Sequence, residues 1–165
     1  MQRRIGWVTV TIDRPSIRVK AMLIALNTDH SAHAVSLNPV TAENPVGYHR
    51  LIGGSVEFGE SHQDAIRREV EEEVGATIED LALLTVVESI YTVDGEPGHE
   101  IVFLYSGHLN PAPAAGTHLV ENDGTTAPIV WRSLTGSEEA LPLYPSAAQR
   151  WIPVPHDPQS GSEAQ

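Results

Sequence analysis

Three glutamates crowd the last two turns of a predicted helix: Glu69, Glu72 and Glu73. A helix turns about 100° per residue, so these carboxylates project within a sector of roughly 100°. Like charges one turn apart destabilise a helix by about 0.2–0.5 kcal/mol per pair. Hard divalent cations take oxygen ligands, and Mg²⁺ binds a few carboxylates while keeping water and substrate phosphates as its other ligands. The cluster predicts a metal-dependent phosphate site, although a solvated acidic face is the commoner explanation of a charge run.

The helix that carries these glutamates has clear signals at both ends. Ser61 is a candidate N-cap, and Asp64 three residues later gives a weak capping box. Gly75 stands where a C-terminal cap is expected. These signals predict a helix from His62 to Val74, with an apolar stripe for the core formed by Ile66, Val70 and Val74.

Strand-like runs surround the helix. Residues rich in Val, Ile, Leu and Thr predict strands over 16–27, 32–37, 49–54, 81–93, 100–109 and 127–134. Asp94-Gly95 favours a tight hairpin turn between the fourth and fifth runs. Residues 110–126 are predicted to be a loop, and 144–152 a short C-terminal helix. Strands with a helical layer on at least one face indicate a mixed α/β or α+β fold.

Length and composition limit the number of domains and the kinds of site that the chain can contain. At 165 residues it has the size of one domain, which we expect to span residues 1–152, with 153–165 as a disordered tail. Cysteine is absent, which excludes disulfides, thiolate metal sites and a cysteine nucleophile. The sequence has neither a signal-peptide core nor an apolar run of about 18 residues. A cytoplasmic protein is therefore expected.

The charge of the chain limits its partners. A net charge of −12 and a single lysine, Lys20, disfavour a general nucleic-acid surface. Residues 54–76 hold seven acids and two arginines, a net charge of −5. Such a site repels a polyphosphate until metal ions bind, so phosphate binding is expected to depend on a cation.

The spacing around the glutamates is specific. It runs Gly54, five residues, Glu60, seven residues, Arg68-Glu69-Val70, one residue, Glu72-Glu73, one residue, Gly75-Ala76. This segment resembles the signature of the Nudix hydrolases, and every charged and glycine position of that signature is filled. Only Ala76 departs, being smaller than the usual Ile, Leu or Val at a packing position.

The resemblance implies a fold and an activity. It implies an α/β/α sandwich around a mixed β-sheet, and cleavage by water of a pyrophosphate bond in a nucleoside diphosphate linked to another group, with Mg²⁺ or Mn²⁺. It makes Glu69, Glu72 and Glu73 the metal-binding carboxylates and the Gly54 carbonyl a further candidate ligand, supported by the two residues Glu60 and Arg68. It also permits a homodimer. Separately, the N-terminal segment Arg3 to Asp13 is a candidate for an extra strand.

Several roles stay open at this level. The proton acceptor is Glu72 or a carboxylate outside the signature. Glu121 is the candidate outside it, and the alternative is that Glu121 is an ordinary loop acid that faces solvent. Arg68 precedes Glu72 by four residues, so a structural ion pair is at least as plausible as a phosphate contact. The competing function is a catalytically weak nucleotide-binding or regulatory domain of the same fold.

Some aromatic and histidine side chains are further candidates. Four large aromatic residues could stack on a base, while core packing is their default role; they are Trp7, Tyr48, Tyr91 and Trp131. His62 and His99 lie near predicted site elements but lack metal-ligand spacing. Glu57 and Glu71 are expected on the surface, the latter paired with Arg67.

Overall fold

A mixed β-sheet and one long helix organise the chain. The computed structural model describes residues 15–121, 124–135 and 141–153. In chain order the elements are β1 Arg18–Leu26, β2 Ala32–Asn38, β3 Tyr48–Ser55, α1 His62–Val74, β4 Thr77–Val93, β5 Glu96–Asn110, β6 His118–Val120, β7 Thr126–Ser133, β8 Leu143–Tyr144 and a 3-10 helix Ser146–Trp151. The predicted N-terminal strand and nearly all of the predicted tail lie outside these ranges and stay predictions.

The strands form a sheet in the order β4-β5-β1-β3-β2-β7-β6, with β8 paired to β3. β1 runs parallel to β5, and β3 runs parallel to β8, while the other pairs are antiparallel. Asp94 and Gly95 close the β4-β5 hairpin with φ of 50° and 82°. Positive φ at both central residues of a two-residue turn matches the twist of the flanking strands, as the sequence predicted.

Two apolar layers cover the faces of the sheet. One contains Ala65, Ile66 and Val70 of α1 together with Leu23 and Ile52 of the sheet. The other contains side chains of the sheet and of the 3-10 helix, namely Met22, Ile24, Leu51, Leu104 and Ala148. Because helical segments flank the sheet on both faces, the predicted α/β/α sandwich is confirmed.

One local prediction needs correction. Residues 110–126 contain β6, whose three residues pair antiparallel with β7, and only Leu119 among them is buried. A strand this short carries no alternation that a sequence pattern detects. The predicted short C-terminal helix is present as a 3-10 helix, Ser146–Trp151.

Within the described ranges, no helix combines the length and apolar character that a membrane crossing requires.

Candidate active site

Both ends of α1 are capped, which fixes the positions of its carboxylates. The Ser61 hydroxyl accepts a hydrogen bond from the Asp64 backbone N–H at 3.1 Å and donates to the Asp64 carboxylate at 2.6 Å. Gly75 adopts a left-handed conformation with φ of 69°, and its N–H donates to the Glu71 carbonyl. The observed helix spans the predicted residues, His62–Val74.

Glu69 is the most deeply buried carboxylate of the cluster. The residue is only 1% exposed, and neither carboxylate oxygen accepts a hydrogen bond in the described part of the chain. Arg68 Nη1 lies 3.1 Å from Glu69 Oε1, but the contact lacks hydrogen-bond geometry. A buried carboxylate without hydrogen-bond donors is costly unless a cation compensates its charge.

Gly54 makes room for this carboxylate. A Cβ at position 54 would overlap the Glu69 carboxylate group, so the end of β3 lies directly against the acid of α1. Its neighbour Gly53 has φ of 131° and packs against the backbone of β1 and the Ile66 side chain. The glycine pair lets the helix and the strand approach closely.

Glu73 lies in the same buried face of α1 and is 5% exposed. Burial raises the pKa of its carboxyl group to about 8, and the nearby carboxylates of Glu121 and Glu69 add to this effect. Arg50 and Lys20 oppose the shift. Desolvation and like charge both favour the protonated acid, so a cation at this position would return Glu73 to its ionised form.

This shift predicts a pH-dependent stability for the metal-free protein. The folded-state pKa of Glu73 lies above its ordinary value of 4.5. The contribution of Glu73 to the free energy of unfolding is therefore most favourable below about pH 4.5 and is lost as the pH rises towards 8. Relative to Glu73→Gln, the wild type is expected to lose on the order of 3 kcal/mol of unfolding free energy by pH 7. Urea unfolding with a chelator checks this, and parallel pH profiles for the two proteins would contradict it.

Arg68 connects α1 to residues 56–61, the loop that joins β3 to the helix. Its guanidinium group donates two bonds to Glu60, from Nε at 2.8 Å and from Nη2 at 3.0 Å. Nη2 also donates to the Ser55 carbonyl at 3.0 Å, and Nη1 donates to Glu72 at 3.1 Å. These hydrogen bonds raise the pKa of Arg68, the one to Glu60 most strongly. Such bidentate pairing positions the loop.

Glu121 lies close to the cluster although it is 48 positions away from Glu73. Its backbone N–H donates to the Thr125 carbonyl at 2.8 Å, just after β6. Its charge contributes to the raised pKa of Glu73. Among the described residues its carboxylate has no hydrogen-bond or ion-pair partner, whereas that of Glu72 is held by Arg68. The structure thus brings Glu121 towards the carboxylates of α1.

The carboxylates fit a divalent cation by their chemistry. No three acidic or histidine side chains in the described ranges converge tightly enough to form a complete metal cage. The Glu69 oxygens accept no hydrogen bond from the described residues, although Arg68 lies 3.1 Å away; together with the glycine cradle beside them and the raised pKa of Glu73, they point to a place for further positive charge. Oxygen donors of this kind suit Mg²⁺ or Mn²⁺.

A cavity of about 170 Å³ is lined by residues of β1, β3, β4 and β5, and the glutamates of α1 are not among its described lining residues. Its lining includes Arg18, Lys20, Arg50, Glu100 and Ser89, and also the aromatic side chains of Tyr48, Tyr91 and Tyr144. The charged residues of this cavity were not predicted to belong to a site. The available signal was the placement of Arg18 and Lys20 at the start of an otherwise apolar strand.

Other predicted candidates lie elsewhere or have structural contacts. His62 stacks on Phe103 with ring centroids 3.9 Å apart, and His99 pairs with the exposed Glu88. Trp131 packs against the core and donates to the Pro113 carbonyl. Glu57 and Glu71 are exposed, but an Arg67–Glu71 ion pair is absent from the described contacts. Trp7 lies outside the described residues.

Comparison with known proteins gives one family and one architecture. A family model described as NUDIX domain matches residues 18–152. A MutT NUDIX hydrolase from Burkholderia pseudomallei is 25% identical, with a TM-score of 0.60, over 83% of this chain and 95% of that chain. A MutT protein from Methanosarcina mazei Go1 is 19% identical, with a TM-score of 0.53, over 80% of this chain and 88% of that chain. An ADP compounds hydrolase is 20% identical, with a TM-score of 0.52, over 74% of this chain and 60% of that chain. The last two likenesses concern the fold.

Proposed function

Because this chain belongs to the Nudix family, whose enzymes hydrolyse pyrophosphate bonds of nucleotide derivatives, we propose that it is a Mg²⁺-dependent hydrolase of a nucleoside diphosphate derivative. The observation that carries the metal dependence is the buried Glu69 carboxylate, whose oxygens have no hydrogen-bond partner among the described residues. Mn²⁺ is the alternative ion, since it prefers similar oxygen ligands.

The metal site consists of residues from the end of β3 and from α1. Glu69, Glu72 and Glu73 supply carboxylates, and Gly54 supplies its carbonyl. When bound, the divalent ion neutralises diphosphate charge and lowers the pKa of the attacking water. The contacts from Arg68 to Glu60, Glu72 and the Ser55 carbonyl fix the position of the β3–α1 loop relative to the helix. Preorganised charges of this kind stabilise the charge that develops on phosphoryl oxygens.

Glu121 is the proposed proton acceptor for the attacking water. Its carboxylate is near Glu73 and has no hydrogen bond with the described residues, so a lone pair is available. Glu72, the other candidate, already accepts a hydrogen bond from Arg68 at 3.1 Å. The Glu72 carboxylate is therefore already held in place, whereas that of Glu121 has no donor among the described residues and can accept a hydrogen bond from water.

Two matched substitutions separate these roles. Glu121→Gln is expected to lower kcat about 100-fold or more, the usual contribution of a general base, with a nucleotide Kd within about threefold of wild type because no ligand contact is removed. Glu72→Gln is expected to lower kcat and also to weaken Mg²⁺ binding. Steady-state kinetics and Mg²⁺ titration of both variants check this. Unchanged hydrolysis in Glu121→Gln would move the base assignment to Glu72.

The substrate class is tested by product identification. The panel comprises nucleotide sugars, ADP-ribose, nucleoside triphosphates and dinucleoside polyphosphates, each incubated with Mg²⁺ in oxygen-18 water. ADP derivatives come first, because a similar fold occurs in an ADP compounds hydrolase. We expect one class to be cleaved at a pyrophosphate bond, with the label in one product identifying the attacked phosphorus. Folded protein that binds nucleotides without cleaving any of them would support the regulatory alternative.

A further inference from the structure

Two histidines from distant parts of the chain meet outside the carboxylate site. His30 lies in the turn between β1 and β2, and His108 lies near the end of β5. Their Nε2 atoms are 3.2 Å apart, and the centroids of the two rings are 5.2 Å apart at an interplanar angle of 36°. Because the two nitrogens are closer than the ring centres, the Nε2 edges of the rings face each other.

This separation matches that of two imidazoles bound to one metal ion. Zn²⁺ binds histidine nitrogen at about 2.0–2.1 Å with tetrahedral geometry, which places two such nitrogens about 3.3 Å apart and their ring centroids about 5.2 Å apart. In the metal-free protein a hydrogen bond joins the same atoms, with one ring donating a proton and the other accepting it. A metal ion would take the place of that shared proton.

Asp80 lies where it can set the tautomer of His108. Its Oδ2 atom is 3.9 Å from His108 Nδ1. A neutral imidazole carries its proton on one nitrogen and keeps a lone pair on the other. The negative charge of Asp80 favours the proton on Nδ1, which leaves the lone pair on Nε2, the atom that faces His30. Metal-bound histidines usually have such a carboxylate beside their second nitrogen.

Both histidines lie on constrained backbone and remain open to solvent. The His30 backbone N–H donates to the Asn27 carbonyl at 3.1 Å, and the Asn27 side chain accepts from the Ser31 N–H at 2.9 Å. His108 pairs with Glu79 of β4 in the register of the hairpin. The His30 residue is exposed and the His108 side chain is 28% exposed, so an ion and its water ligands can reach both rings.

The ligand type selects the class of ion. Imidazole nitrogen suits Zn²⁺, Cu²⁺ and Ni²⁺, whereas Mg²⁺ prefers oxygen. Within residues 15–121, 124–135 and 141–153, no third histidine or acidic side chain completes a metal cage around the pair. Water would therefore occupy the remaining ligand positions. The pair differs in chemistry from the glutamates of α1, which offer oxygen alone.

We propose that His30 and His108 bind one divalent transition-metal ion of the Zn²⁺ class through their Nε2 atoms, and that Asp80 orients His108. The ion links the β1–β2 turn to β5, so its binding stabilises the folded chain. This site is independent of the proposed hydrolysis, whose cation is assigned to α1.

Calorimetric titration of the full chain with ZnCl₂, in an excess of MgCl₂ that competes for the oxygen ligands of α1, tests this. His30→Ala and His108→Ala are each expected to weaken Zn²⁺ binding at least about tenfold, since each removes one of two protein ligands. Asp80→Asn is expected to weaken it about tenfold, the lower end of the usual effect of such a partner. Unchanged binding in Asp80→Asn would overturn the orienting role.

Electron paramagnetic resonance of bound Cu²⁺ identifies the ligand atoms. The wild-type spectrum is expected to show coupling to two imidazole nitrogens, and the double variant His30→Ala/His108→Ala to lose it. Thermal unfolding reports the linkage: ZnCl₂ should raise the Tm of wild type and leave that of the double variant unchanged.

His99→Ala is the matched control, because it removes another histidine of β5 that lies 2.8 Å from an acid, Glu88. It is expected to bind Zn²⁺ like wild type. Absence of Zn²⁺ binding by wild type, equal affinity in the double variant, or loss of binding in Glu69→Gln in place of the histidine variants would overturn the proposal. Hydrolysis with Mg²⁺ is expected to be unchanged in His30→Ala, so failure of either proposal leaves the other standing.

Discussion

Glu69→Gln is expected to lower kcat/KM about 100-fold or more, the loss typical of removing one strong electrostatic contact to a transition state. Glutamine keeps the shape of the side chain but removes the negative charge that a cation needs. The metal-free protein should lose little stability, because the substitution replaces a buried carboxylate that accepts no hydrogen bond from the described residues, and because Arg68, which lies 3.1 Å from it, keeps its hydrogen bonds to Glu60 and Glu72. Activity and metal-free stability are therefore expected to respond differently.

Kinetics, urea unfolding and Mg²⁺-induced stabilisation measure these effects. Wild type should gain unfolding free energy when Mg²⁺ is added, and Glu69→Gln should gain much less. Glu71→Gln is the matched control, since it removes one carboxylate from the exposed face of the same helix. An equal loss of activity in Glu71→Gln would mean that the net charge of the helix matters and that the position of Glu69 does not.

Gly54→Ala is expected to have a comparable effect on kcat/KM, about 100-fold, through displacement of Glu69. The added Cβ would overlap the Glu69 carboxylate, so the acid must leave its place against β3. The backbone of Gly54 itself has no left-handed φ, so the change introduces steric overlap without backbone strain. The folded protein should retain its sheet but lose its response to Mg²⁺.

A double-mutant cycle checks that Gly54 acts through Glu69. If it does, Gly54→Ala lowers kcat/KM strongly in wild type and has little further effect on kcat/KM in the Glu69→Gln background. Gly116→Ala is the control for replacing a glycine, because position 116 has open space around it and its substitution adds only the strain of φ at 83°. Additive losses in the cycle would show that Gly54 affects the reaction independently of Glu69.

The helix and its chemistry were predictable because their signals are local. Ser61, Gly75 and the apolar stripe define the helix within a few residues of sequence. The spacing of the glycine, the arginine and the glutamates can likewise be read directly along this short segment. The position of Glu121 was only a hypothesis, because its proximity to Glu73 depends on β6, a three-residue strand without a readable pattern.

The cavity and the burial of each carboxylate could not be predicted in the same way. Lys20 and Arg50 belong to β1 and β3, while Glu100 belongs to β5, which runs parallel to β1. Their meeting depends on strand register, and a shift of one residue would turn each side chain to the opposite face.

Residue type and short-range spacing encode the helix, its caps, the family and the set of carboxylates, so all of these could be read from the amino-acid sequence. The tertiary structure decided which carboxylate is fully buried: Glu69 lies against Gly54, whereas Glu72 stays half exposed beside Arg68. It also decided the composition of the cavity. The physical reason is that burial, and with it the pKa of an acid or the need for a cation, depends on groups that come from distant parts of the chain.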